Sequence, residues 1–327
     1  MTRLPVAMIG AGHIHAPGYL RWLSHSSLVD LVGVYDADRK RATELADASG
    51  TKVLDSLEEA TALGRAAVIC PEPTRQVALA KAVASTGCAL LLEKPLGVSP
   101  AESEELVALA RDVPLSVALP VRYHPAAVQL AAAVREQRLG EVVAIWATNR
   151  NRFPGGWFGD PSLAGGGCLL DHVVHVADLI GWIWGTTWAS VRAEAGTLHH
   201  AGLGVEDTAV VLAETTNNMM ISIDPSMSRP DDMAGALDLT MRVWGENGVA
   251  TLDIFATRVD DFGGSGRHRQ HLVGADMDGA MLSDWVRSVC TDAPPPVPAT
   301  DAFLATSLAF AAQQAVATHQ SVRIKRR

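Results

Sequence analysis

Apolar positions along this chain fall into two regimes. Over the first third, short near-continuous apolar runs at 6–9, 28–35, 66–70, 89–92 and 115–119 alternate with helical patterns around 39–48, 77–86 and 100–111. Unbroken apolar runs are the pattern of parallel strands buried on both faces. Strand–helix alternation predicts a doubly wound parallel sheet. The third helix has a readable start: Ser99, then Pro100, then Glu102 three residues after the serine. That is a capping box with proline where its missing N–H costs nothing.

After about Leu119 the pattern changes. A helix is predicted over 125–137, ending near Gly140. Strands follow at 142–148, 188–195, 208–214, 219–224, 237–244 and 249–254, the last two joined across Glu246-Asn247-Gly248, a hairpin signal. Strands in series with turn residues between them predict a largely antiparallel sheet. One helix, 168–184, interrupts them, and two more, 278–290 and 301–318, end the chain. Pro294-Pro295-Pro296-Val297-Pro298 reads as a stiff extended connector. The expected division is one domain over 1–120 and a second over 121–327.

Composition supports two domains, because 327 residues exceed what one core usually serves. The net charge of −9 argues against nucleic acid or an anionic membrane as partner. Cys70, Cys88, Cys168 and Cys290 form no C-x-x-C pair and read as small hydrophobes in a reducing compartment. The run 6–9 is too short for a signal-peptide core. The nearest thing to a membrane span, 302–318, carries Thr306, Ser307, Gln313 and Gln314, so a buried helix is expected there. The cytoplasm is the expected location.

Chemistry enters at Gly10-Ala11-Gly12-His13-Ile14-His15, directly after the first strand. The first glycine permits a tight turn, and the second lets a pyrophosphate approach the backbone at a helix N-terminus. The second strand ends in Asp36, placed to meet a ribose. Gly10, Gly12, His13, Ile14, Asp36, Glu93 and Lys94 are the expected dinucleotide contacts. His13 and His15 invite a metal reading, but no neighbouring acid or thiol in the sequence completes a ligand set, so no metal is expected. Glu93-Lys94-Pro95 closes the strand at 89–92, the end where open α/β sheets bind ligands.

Gly165-Gly166-Gly167-Cys168-Leu169-Leu170-Asp171-His172-Val173-Val174-His175 is the most informative stretch. Three glycines open a helix, and Asp171 and His175 then share one face. An acid able to orient an imidazole is equipment for proton transfer. Together with Gly10-Ala11-Gly12 and Glu93-Lys94-Pro95, this stretch resembles the Gfo/Idh/MocA oxidoreductase family. The resemblance extends over nearly the whole chain, including Arg122-Tyr123-His124-Pro125 and Trp157.

The resemblance implies a Rossmann domain followed by an open mixed sheet with helices on one side, whose exposed face mediates dimers or tetramers. It implies hydride transfer between a nicotinamide and a secondary alcohol of a sugar, inositol or related polyol. Lys94, Asp171 and His175 are the catalytic candidates, and the Lys94–Pro95 bond is expected to be cis. Arg122, Asn149, Arg152, Trp157 and His172 are the substrate candidates. NAD is expected rather than NADP, because Asp36 would meet a 2′-phosphate with like charge; Arg39, with Lys40 and Arg41 just beyond, is the counterweight, Arg39 being the one expected to swing in.

The chain departs from the family pattern at His15, at Gln76, where many members carry histidine, and at His172 and Val173. Two further readings stay open: oxidation-assisted glycoside cleavage with tightly held NAD, for which His172 would be a spare acid–base group, and a non-catalytic dinucleotide-binding regulator.

Overall fold

The computed structural model describes residues 2–233, 237–256, 258–262, 268–272 and 274–324, with side chains outside 258–262 and 268–272. In chain order the elements are β1 (Leu4–Ile9), α1 (Ala16–His25), β2 (Val29–Tyr35), α2 (Arg39–Ser49), α3 (Leu57–Leu63), β3 (Ala66–Ile69), α4 (Gln76–Ala84), β4 (Ala89–Leu92), α5 (Pro100–Leu109) and β5 (Leu115–Val117). Then come α6 (Pro125–Arg135), β6 (Val142–Arg150), α7 (Pro161–Ala164), α8 (Cys168–Trp184), β7 (Trp188–Gly196), β8 (Thr208–Thr215) and β9 (Met220–Asp224). The last are β10 (Asp238–Gly245), β11 (Gly248–Asp253), β12 (Arg258–Phe262), β13 (His268–Leu272), α9 (Met277–Cys290), α10 (Ala299–Thr318) and β14 (Val322–Arg323).

The chain forms two compact units. The first comprises Met1–Pro120 and Met277–Phe303, and the second comprises Val121–Asp276 and Leu304–Arg327. A simple division after residue 120 therefore misassigns 277–303. The reason is visible at β5, the edge of the first sheet. The Val297 carbonyl accepts from the Val117 amide at 3.0 Å and from Ser116 Oγ at 3.2 Å. The proline-rich connector thus lies along that edge and covers groups that would otherwise invite another strand. Helix α9 packs on α1.

The first sheet has the order β2-β1-β3-β4-β5 with every pairing parallel. β3, β4 and β5 are buried at every position. Strand order reverses between β1 and β3, the switch point where such sheets bind ligands. Ser99 caps α5, accepting from the Glu102 amide at 3.3 Å, while Glu102 reaches back to the Val98 amide at 2.8 Å.

The second unit holds a seven-stranded sheet of order β11-β10-β6-β9-β8-β7-β14. Its pairings are antiparallel except β6 with β9, a parallel pair that makes the sheet mixed. Along β8 the inward positions Ala209, Val211 and Ala213 are buried, while Val210 and Leu212 face outward. α8 packs on β6 and β8. The outward face carries Trp146, Val210, Leu212, Met220 and Val249, with Trp146 63% exposed. The hairpin β12–β13 takes in His268 and His271. Among the described residues, the helical stretch long and apolar enough to cross a membrane is Pro161–Trp184 rather than 302–318, and it is mostly buried in the fold.

Candidate active site

In the first unit the glycine turn is dictated by the backbone. Gly10 has φ +84°, and a side chain there would drive a Cβ to 2.6 Å from the Pro71 nitrogen. Its amide donates to the Tyr35 carbonyl at 2.8 Å, which ties the turn after β1 to the end of β2. At Gly12 a Cβ would lie 2.7 Å from the carboxylate carbon of Glu72, the far end of a flexible side chain, so there the crowding is milder.

Asp36 organises this end of the sheet. Its Oδ2 accepts from the Ala11 amide at 2.7 Å and its Oδ1 from the Asp38 amide at 2.7 Å. Asp38 caps α2. The basic residue at Asp36 is Arg41, at 2.9 Å, which also reaches Glu72 at 2.5 Å. Arg39, the expected counterweight, instead pairs on the surface with Asp55. Two buried acids bridged by one guanidinium thus lie beside the glycine turn. Ile14 is half exposed.

Glu93 and Lys94 are both buried at the end of β4. The Lys94–Pro95 peptide is cis. Gln76, the departure at the start of α4, holds this segment from both sides. Its Nε2 donates to the Glu93 carbonyl, and its Oε1 accepts from the Gly97 amide at 3.0 Å.

His15 Nδ1 lies 3.0 Å from Glu93 Oε1, and His13 Nδ1 lies 3.9 Å from the same oxygen. Burial alone would lower the His15 pKa, but the charge and hydrogen bond of Glu93 outweigh it and raise the pKa above its ordinary value. Burial would likewise raise Glu93, yet the two imidazoles hold its carboxyl down at about 2. The expectation that no acid joins the two histidines is therefore corrected. Glu93 does so from 78 residues away in sequence, and the three could hold a metal ion. The His15–Glu93 hydrogen bond satisfies the same atoms without one.

In the second unit, α8 starts where a glycine is unavoidable. A methyl on Gly167 would overlap the Glu206 backbone. Gly167 offers no side-chain cap, so Glu206 supplies one from a distant loop. Its Oε1 accepts from the Gly167 amide at 3.2 Å and the Leu169 amide at 3.1 Å. Burial raises its pKa, partly offset by those backbone bonds. Neither this cap nor the Gln76 brace has a signal in local sequence.

Asp171 Oδ2 lies 3.2 Å from His172 Nε2. His172 is buried, and its Nδ1 donates to the Pro225 carbonyl at 2.5 Å. Both ring nitrogens thus face protein atoms, one of them the Asp171 carboxylate. Asn149 Nδ2 donates to the His172 carbonyl at 3.0 Å and ties β6 to α8. Arg122 is buried and forks onto Asp178, with Nε 2.8 Å from Oδ2 and a second nitrogen 2.5 Å from Oδ1. A guanidinium engaged bidentately inside the fold is a structural tie to α8. Trp157 stacks on Phe158 at 3.8 Å. Arg152 donates to the Met233 carbonyl.

Residues 4–119 match the oxidoreductase family with an NAD-binding Rossmann fold. Residues 127–251 match the GFO/IDH/MocA C-terminal domain. The chain belongs to the GFO/IDH/MocA family. It is an oxidoreductase. It is 26% identical over 330 residues to inositol 2-dehydrogenase of Acidothermus cellulolyticus, covering 97% of this chain and 94% of that one. It is 24% identical to the rhizopine catabolism protein MocA of Rhizobium meliloti, covering 96% and 95%. Among solved structures it resembles GenD2 from gentamicin A biosynthesis in complex with NAD, with TM-score 0.90, 26% identity and coverage of 100% and 97%. It shares its fold with myo-inositol 2-dehydrogenase from Lactobacillus plantarum, with TM-score 0.85, 18% identity and coverage of 99% and 100%.

Proposed function

We propose that this chain is a dehydrogenase of a secondary alcohol carbon in a sugar, inositol or related polyol, and that it prefers NAD. The observation that carries the reading is the buried Lys94 at the ligand-binding end of β4, in the same sheet as a turn whose Gly10 tolerates no side chain. The turn also fits a dinucleotide: the main chain at Gly10 and Gly12 has no Cβ to block a pyrophosphate, and Asp36 stands at the end of β2.

The nicotinamide, when bound, supplies the hydride acceptor or donor. His175 takes the hydroxyl proton on its imidazole. Asp171, itself held by His172, orients that imidazole and shares the hydrogen bonds to substrate. Lys94 stabilises negative charge as it develops on the substrate oxygen. Relatives named inositol 2-dehydrogenase support the polyol class.

The cleavage alternative needed His172 as a spare acid–base group, and its engagement on both nitrogens disfavours that role. We assign the protein to the cytoplasm, as a homodimer or homotetramer without nucleic-acid or membrane partners. The apolar outward face of the second sheet supports assembly. A monomer in light scattering at micromolar concentration would overturn that assignment.

The test of function is a panel of sugars, inositols and glycosides followed by nicotinamide absorbance with product mass spectrometry. Net cofactor reduction by a polyol is the expected result. Cleaved product without net reduction would favour the alternative chemistry. Cofactor binding with no turnover across the panel would favour a regulator.

A further inference from the structure

One residue takes up three successive amides where α8 begins. Glu206 Oε1 accepts from the Gly167 amide at 3.2 Å and the Leu169 amide at 3.1 Å, and the Glu206 carbonyl accepts from the Cys168 amide at 2.9 Å. The first N–H groups of a helix have no partner within it, and a side chain at the cap position commonly meets them. Here the cap position is Gly167, where any Cβ would overlap the Glu206 backbone, so no local side chain can serve.

Glu206 is itself anchored away from α8. Its neighbour Asp207 is fully buried, and that carboxylate accepts from the Leu198, His199 and His200 amides at 2.8, 3.0 and 2.7 Å. The Asp207 amide donates to the Gly196 carbonyl at 3.2 Å, at the end of β7. The Asp207 carbonyl accepts from the Met227 amide at 2.7 Å, in the loop after β9. The sheet and its loops therefore fix Glu206, and Glu206 fixes where α8 starts.

The same loop holds the other side of the first turn. The Pro225 carbonyl accepts from His172, whose Nε2 lies 3.2 Å from Asp171 Oδ2. The Asp171 amide donates to the Gly167 carbonyl at 3.0 Å. From Glu206 the contacts run through Gly167, Asp171, His172 and the segment from Pro225 to Met227 to Asp207, and so return to Glu206. Asp171 is a member of that closed ring.

Packing of its buried face holds the body of α8. Its first turn is where a helix frays, and that turn carries Asp171. A carboxylate at this end also suits the helix dipole.

We infer that Glu206 is a positioning residue for the reaction: by capping α8 from the start of β8 it fixes the turn that carries Asp171, and through Asp171 the orientation of His175. The inference rests on the dehydrogenase reading above and adds a residue to it that does not touch substrate.

Steady-state turnover at saturating NAD tests it, on myo-inositol or, where that is not oxidised, on the polyol of the panel that reduces NAD fastest. Hydrogen exchange of peptides spanning 165–176, read by mass spectrometry, is measured beside it without substrate. A displacement of about 1 Å in a reacting group can cost on the order of a hundredfold in rate. E206A is expected to lower kcat by on the order of tenfold or more, with KM for the polyol and NAD affinity nearly unchanged, and to speed exchange at the start of α8. E206Q keeps Oε1 as an acceptor and is expected to restore most of both losses. E206D keeps the charge but draws it back by one methylene, so it is expected to turn over more slowly than E206Q; it serves as the reading if E206A does not fold.

Unchanged kcat in a folded E206A with a lowered Tm would make Glu206 a stabilising cap alone and overturn the inference. Undiminished kcat in E206D would do the same where E206A does not fold. E206Q as slow as E206A would overturn it as well, since the acceptor is still present. Unchanged exchange across 165–176 would overturn the hold on the turn itself. Failure of every polyol to reduce NAD with the unaltered protein would overturn the dehydrogenase reading, and the exchange data would still decide whether Glu206 fixes the turn of Asp171.

Discussion

The two units hold their candidate functional residues by different physical means. In the first, the decisive groups sit where strands end and the main chain turns. Gly10 is required by φ and by a 2.6 Å approach, and Asp36 is held by two backbone amides. In the second, the decisive side chains are fixed by other side chains and carbonyls far away in sequence. Arg122 is locked on Asp178, His172 on Pro225, and the start of α8 on Glu206. Main-chain recognition sites are written locally, whereas side-chain scaffolds are completed only by the fold.

The strongest way to break that contrast is at Arg122. As a buried tie, Arg122→Ala strands the Asp178 carboxylate and is expected to cost about 3–5 kcal/mol of stability in chemical denaturation. Replacing both partners with apolar residues is expected to recover most of the loss. A stable Arg122→Ala protein with a raised KM would return Arg122 to the substrate contacts.

Next in size are Lys94→Ala and His175→Ala. Each is expected to lower turnover by on the order of a hundredfold while leaving NAD affinity nearly intact. The pair sharpens the comparison because one residue comes from each unit. If Lys94→Ala weakened NAD binding and spared turnover, Lys94 would belong with the cofactor contacts alone.

A smaller effect is expected at Asp36. The ratio of kcat/KM for NAD over NADP should exceed one and fall by about tenfold in Asp36→Ala, a loss of about 1.4 kcal/mol of discrimination. Arg41 is the complication, since it already lies on Asp36 and could meet a 2′-phosphate. A ratio favouring NADP in the unaltered protein would mean that Arg41, not Asp36, sets the preference.

These residues also mark what the sequence could reveal. The apolar runs located every strand of the first sheet, and α8 is bounded by its glycines as expected. The short helix α3, the hairpin β12–β13 and the two-residue β14 went unread, having too few periodic positions to stand out. The place of 277–303 was hidden because an edge-covering connector is recognised only by the strand it covers. Within the candidate site, Gly10, Asp36 and Lys94 stand out in the sequence by their positions at strand ends. The roles of Gln76, Arg41, Glu206 and Asp178 were not, since each depends on a partner brought near by folding, most of them tens of residues away.

The smallest expected effect tests the one place in the first unit where long-range side-chain pairing does matter. His15 and Glu93 share a hydrogen bond of 3.0 Å, with Glu93 buried and His15 30% exposed. The His15 pKa is raised above 6.5, so its part of the stabilisation is complete below that value and is lost as pH rises through the raised pKa. The Glu93 pKa is depressed from 4.5 to about 2, so its part is present above 4.5 and is lost as pH falls toward 2. Both statements concern one contact, which gives a single window of full strength between pH 4.5 and 6.5. With solvent reaching His15, a contribution of about 1 kcal/mol is reasonable. In a domain of this size that corresponds to a Tm difference of about 2–4 °C. The Tm deficit of His15→Asn should therefore peak inside the window and shrink on both sides of it. A deficit that stays flat from pH 4 to 9, or that grows in alkali, would show that His15 stabilises the turn by packing against Tyr19 rather than by its charge.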